Sequence, residues 1–164
     1  GWLDPARDQM GLAFVYLRDN RWEDLAEHAQ AMLKKQDTLE ARLLLGTALD
    51  KLGKTDDMVA LMFDTQRRYP DDFLSNLALA QALIRISGEK VVLAQATSLL
   101  LRAEKAAGRA PDHRQHAELL FLKGLISALD GQMEIARVCF KQVLEHDPTF
   151  LEALAALEMV DLGG

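Results

Sequence analysis

The chain has 164 residues and 18.3 kDa, is 49% hydrophobic and 27% charged, and so holds enough apolar surface for a continuous core rather than a disordered segment. Its 25 acidic against 19 basic residues leave a formal charge of −6, and with no dense basic run a nucleic-acid partner is not expected. No apolar run approaches the roughly 18 residues that span a bilayer and no signal peptide opens the chain, so direct membrane insertion is not expected either.

Apolar residues recur at steps of three and four almost throughout, prolines number four, and no stretch alternates, which makes the fold all-α. Nine helices are expected. The first, over 5–18, follows Asp4-Pro5, a capping acceptor ahead of a first-turn proline, and the second covers 22–35. The third, over 39–52, opens on Asp37-Thr38-Leu39-Glu40 with capping-box spacing and closes at Gly53. The fourth, over 56–69, ends at Pro70. Helices over 72–86 and 90–107 are closed by Gly88 and Gly108, residues suited to a positive-φ helix end. Asp112-His113-Arg114-Gln115 repeats the capping box at the start of 113–129, Gly131 closes that helix, and 132–146 follows. Asp147-Pro148 repeats the opening device ahead of 149–161. Short connections make neighbours antiparallel, so the helices pair as hairpins that must stack to bury their apolar stripes.

The hairpins repeat one pattern. Pro70 follows Gly46 by 24 residues and Gly53 follows Gly46 by 7; Gly124, Pro148 and Gly131 reproduce both spacings. Around these points the chain resembles the tetratricopeptide repeat family, whose unit is a helix–turn–helix of about 34 residues with the pattern W-x₂-L-G-x₂-Y, A-x₃-F, P. Leu45-Gly46, Leu49, Met58, Met62 and Pro70 fill one copy; Gly124, Ala136, Phe140 and Pro148 fill another, with Lys123 and Ser127 replacing apolar residues. Leu12-Ala13, Tyr16, Leu25, Ala29 and Asp37 form a looser first copy, and Leu79-Ala80, Leu83, Ala96 and Leu100 a third. Pro148 follows Pro70 by 78 residues, ten more than two standard units, and the surplus is assigned to the Ser87–Leu93 turn and the Gly108–His116 connection. The resemblance implies a right-handed α-solenoid forming one domain over 1–164, with units about 5–37, 38–71, 72–108 and 112–147 and a C-terminal helix. Small residues at each crossing let the paired helices approach. A chain that opens on Gly1 and Trp2 almost directly into helix is expected to be part of a longer protein.

The resemblance also implies a function. First helices of successive hairpins line a concave groove, and reading their off-motif positions gives Met10, Phe14, Leu17 and Arg18, then Leu43, Thr47, Asp50 and Lys51. Leu77, Gln81, Ile84 and Arg85 follow, then Phe121, Leu125 and Ala128. This peptide-binding face is apolar with polar edges and suits an extended segment or amphipathic helix of another protein. Gly11, Leu44 and Ala78 stand where some members carry the donors that clamp a C-terminal carboxylate, so that mode is not expected.

No Gly-rich phosphate loop, nucleophile elbow or paired-carboxylate motif is present, and an enzyme is not expected. Asp112, His113 and His116 lack a third ligand at diagnostic spacing, so neither metal nor cofactor is expected; His28 and His146 read as exposed or helix-end residues, and Cys139 as a structural thiol. The end helices carry apolar residues around most of their circumference, Trp2 lying just ahead of the first. They are expected to contact further repeats, a partner or a second copy. The expected role is a protein-binding scaffold or chaperone-like adaptor, with a structural segment of a longer solenoid as the alternative. A narrower similarity over Asn76–Leu100 and Leu122–Phe140 is to the periplasmic domains of bacterial cytochrome c maturation factors, and a bacterial envelope-assembly scaffold fits equally. The compartment, cytoplasmic or periplasmic, stays open.

Overall fold

In a computed structural model that describes residues 5–163, the described residues form nine helices and no strand. They are α1 (Pro5–Arg18), α2 (Trp22–Lys35), α3 (Leu39–Lys51), α4 (Thr55–Arg68), α5 (Phe73–Ile86), α6 (Lys90–Ala107), α7 (His113–Leu129), α8 (Met133–His146) and α9 (Leu151–Gly163). The chain divides between Tyr69 and Pro70 into two compact units. The expected cap at Asp4 and the apolar contribution of Trp2 lie outside the described residues.

In the first unit α2 packs on α1 and α3, and α3 on α4. Ala13, Leu25 and Ala48 form the interior where the first three helices meet, closed by Tyr16, Leu17, Trp22 and Leu44. Gly46 faces Met62 across the α3–α4 crossing. In the second unit α5, α7 and α9 lie side by side in one layer, with α6 packed on α5 and α7, and α8 on α7 and α9. Leu77, Ala80, Leu100 and Leu122 fill the first part of that core, and Phe140 with Val160 the last. Gly124 faces Phe140 as Gly46 faces Met62.

Two kinds of end chemistry mark the repeat. The helices that open hairpins take side-chain caps: Thr38 accepts the Ala41 N–H, Asp72 those of Leu74 and Ser75, and Asp112 with Gln115 forms a complete capping box. The turns inside three hairpins use backbone alone. Arg21 N–H reaches Tyr16 C=O, Lys54 N–H reaches Leu49 C=O, and Gln132 N–H reaches Ser127 C=O. The residue just before each donor, Asn20, Gly53 or Gly131, has positive φ, so the last carbonyls are satisfied by the tight αL closure that Gly and Asn tolerate.

The hairpin α5–α6 departs from this, and expectations change with it. Gly88 does not take positive φ, and Ser87 ends α5 in extended backbone. The sequence offers Ser87 at the αL position and places glycine one residue late, so the tight closure does not form. The share of the ten surplus residues assigned to the Ser87–Leu93 turn is helix instead: α6 starts at Lys90 and runs 18 residues against 14 for α2, α4 and α8, which takes up four of them. Buried Leu93, Ala96, Leu100 and Ala103 extend its apolar stripe by a turn, and burial favours continuing the helix.

Two caps also differ from expectation. Asp37 does not cap α3; it takes two hydrogen bonds from Arg42, at 2.6 and 2.8 Å, and leaves the cap to Thr38. Asp147 does not start a helix at 149, because its carboxylate accepts from the Thr149 hydroxyl and N–H in a local turn and α9 begins at Leu151.

Candidate functional site

The candidate face is the outward side of the hairpin-opening helices. On α1, Phe14 is 56% exposed, Met10 and Leu17 are half-buried, and Arg18 is exposed and paired with Asp19. On α3, Leu43 and Asp50 are half-buried; Thr47 is exposed and its hydroxyl donates to Leu43 C=O. Lys51 lies over the Trp22 ring. In the second unit Gln81 and Arg85 are exposed, whereas Ile84, Leu125 and Ala128 are half-buried against the core clusters. Leu77 is a correction: at 4% exposure it is a core residue, because α6 and α7 close over it. Phe121 is half-buried too, its ring 5.0 Å from Phe150 and 5.8 Å from Phe140.

In the second unit this side of the helices carries further apolar side chains that the motif positions did not pick out. Leu74, Leu129, Met159 and Leu162 are all exposed, Met159 at 74%. Carrying the 34-residue register forward from Leu125 reaches Met159, so the signal was available in the repeat itself. Carboxylates gather at the starts of α5, α7 and α9. Asp72 and Asp112 cap α5 and α7, Glu152 stands in the first turn of α9, and Glu118 accepts from Arg114 at 3.2 Å.

A charged network lies in the first unit. Arg42, 5% exposed, donates to Asp37, Asp64 and Thr65, and Arg68 pairs with both carboxylates. Hydrogen bonds from Arg42 hold the Asp37 and Asp64 carboxyls below the usual carboxylate range, against some desolvation.

Solved structures similar to this one share these stacked hairpins. A thermophilic tetratricopeptide repeat protein of Thermus thermophilus, TTC0263, superposes with a TM-score of 0.79 at 24% identity, over 96% of this chain and 81% of its own. MamA from residue 41 to its end, of Desulfovibrio magneticus RS-1, gives 0.66 at 18% identity over 99% and 86%; the MamA RS-1 ArsTM double mutant gives 0.65 at the same identity and coverage. The chain has the tetratricopeptide repeat fold. No protein-family model and no curated protein matches its sequence. The fold is an all-α helical repeat of the solenoid class, and the buried Met58 and Met62, Ala136 and Phe140 occupy the small-and-bulky places of its second helices.

Within this tetratricopeptide fold the histidines gather in a way spacing did not show. His116, in the first turns of α7, packs edge-on against His146 of α8 with ring centroids 4.5 Å apart, and His113 lies 6.0 Å from His146. Among the described residues no three His, Cys, Asp or Glu side chains are placed to hold a metal ion. His28 is also not a lone exposed residue: a ring nitrogen meets Gln9 C=O at 2.8 Å and its ring packs on Tyr16. Burial pushes the Cys139 thiol up, with Lys123 opposing that shift, so the thiolate needed for nucleophilic chemistry is disfavoured. No helix among the described residues is long and apolar enough to cross a membrane.

Proposed function

We propose that this chain is a protein-interaction module that holds a peptide or helical segment of a partner on the outward face of its hairpin-opening helices, acting as an assembly scaffold or adaptor. One observation carries the reading: each unit by itself exposes large apolar side chains on its hairpin-opening helices, Phe14 on α1 in the first and Leu74, Leu129 and Met159 on α5, α7 and α9 in the second. Repeat folds work through such extended faces, and exposed apolar groups rimmed by polar ones mark docking surfaces. Affinity capture from the native host followed by mass spectrometry tests it. Phe14→Ser and Met159→Ser, made separately, should each abolish capture of the partner that its own unit holds while the melting temperature stays unchanged, because neither side chain is buried; capture undiminished in both would sink the reading.

A second reading rests on α9 itself, which exposes Leu151, Met159 and Leu162 around much of its circumference. Here the end helices associate with a second copy or a neighbouring repeat and the face stays empty. Light scattering separates the two: mass that rises with concentration and falls back in Leu151→Ser/Leu162→Ser supports end association.

A further inference from the structure

The carboxylates gathered at the starts of α5, α7 and α9, the caps Asp72 and Asp112 with Glu118 and Glu152, define the chemistry of the occupant. We infer that the face of the second unit takes an amphipathic helical segment whose apolar stripe is flanked by Lys and Arg. This deepens the proposed function and rests on it.

α5 and α7 are joined through the antiparallel α6, and α7 and α9 through α8, so the three parallel helices present their N-terminal turns along one edge of the layer. A cleft of about 450 Å³ opens there between α5 and α7, lined by Asp72, Phe73, Leu74, Asp112, Arg114, Gln115 and Glu118. Capping satisfies Asp72 and Asp112 as acceptors without removing their charge. Each helix N-terminus adds roughly half a positive charge, which offsets only part of the full charge on each of Asp72, Asp112, Glu118 and Glu152. Arg114 is the one Lys or Arg in the first two turns of these helices, and it is tied to Glu118; the histidines His113 and His116 stand on the same turns of α7. Farther along, the surface of α7 and α9 turns apolar through Leu125, Leu129 and Met159, while α5 carries Gln81 and Arg85.

An apolar floor with one anionic edge discriminates by sign. Apolar burial supplies most of the affinity to any amphipathic helix, while the edge attracts a basic flank and repels an acidic one. A plain apolar segment loses that electrostatic gain. An acidic segment meets like charges across the cleft.

Two synthetic peptides with the same leucines at helical spacing, one completed with Lys and Ala and the other with Glu and Ala, test this on the full chain by fluorescence anisotropy. The Lys peptide is expected to bind about tenfold tighter or more, and to weaken as salt rises from about 50 to about 300 mM. Glu118→Gln/Glu152→Gln should remove most of the difference between the peptides, while the capping residues Asp72 and Asp112 stay in place to keep the fold. Met159→Ser should weaken both peptides. Equal binding of the two peptides, or preference for the Glu peptide, overturns the charge inference and leaves the docking face standing. Failure of both to bind overturns the docking face as well, and equal binding of a scrambled Lys peptide without an apolar stripe shows charge attraction alone and overturns the inference.

Discussion

At the α3–α4 crossing a Cβ on Gly46 would come within 2.5 Å of Met62 Cε, the free end of a flexible side chain. At the α7–α8 crossing a Cβ on Gly124 would meet two ring atoms of Phe140, at 2.5 and 2.9 Å, and Cys139 Cβ at 3.1 Å. The same motif glycine thus stands at two sites of different stiffness. A thioether swings aside by rotation about its own bonds, whereas the fully buried Phe140 ring, held between Phe121 and the α9 residues that pack around it, has nowhere to go. Motif identity states that the backbones approach; the neighbour decides what the approach costs.

The largest effect should come from emptying the stiff crossing. Phe140→Ala is expected to destabilise the second unit by about 3–5 kcal/mol, read by urea unfolding. Next, Gly124→Ala should cost about 1–3 kcal/mol through overpacking. Gly46→Ala should cost less than about 1 kcal/mol, since Met62 moves and alanine favours the helix by a similar amount. Equal losses at the two glycines would break the comparison. Gly131→Ala, at φ 82°, should cost about 1–2 kcal/mol from left-handed strain with no packing change, visible as a lowered melting temperature.

The smallest effect is the slope with pH that the Arg42 network adds in the first unit. Asp37 and Asp64 ionise more readily in the folded chain than in the unfolded one. The stability they add is therefore present above the ordinary carboxylate range, about pH 4, and is lost as pH falls through their lower folded values. Both carboxylates keep contact with solvent, so the change is modest. Arg42→Met should flatten the acid limb of a stability–pH curve measured by urea midpoints, and an unchanged limb would show that other groups govern it.

Much of the fold was legible in the residues. Leu25, Ala29 and Met32, or Ala136, Phe140 and Val143, fall on one stripe at helical spacing, and Asp112 with Gln115 announces a helix start because its donors and acceptors lie within one turn. The candidate face was legible in part. Phe14 and Gln81 stand exposed where the register put them, while Leu77, at an equivalent position, is core. Nothing within α5 separates Leu77 from Gln81 in geometry; α6 and α7 decide which is covered. Asp37 illustrates the same limit, since its choice of Arg42 over a helix cap depends on a guanidinium that α4 also holds in place.

By itself the amino-acid order determined nine helices, their antiparallel pairing and the glycine crossings, because spacing, capping and turn preference act over a few neighbouring residues. Only the tertiary structure decided that α6 is a turn longer, that His146 joins His113 and His116, and that the anionic ends of α5, α7 and α9 share one edge. Those outcomes turn on which distant side chains exclude water from one another, and that is settled when the helices pack.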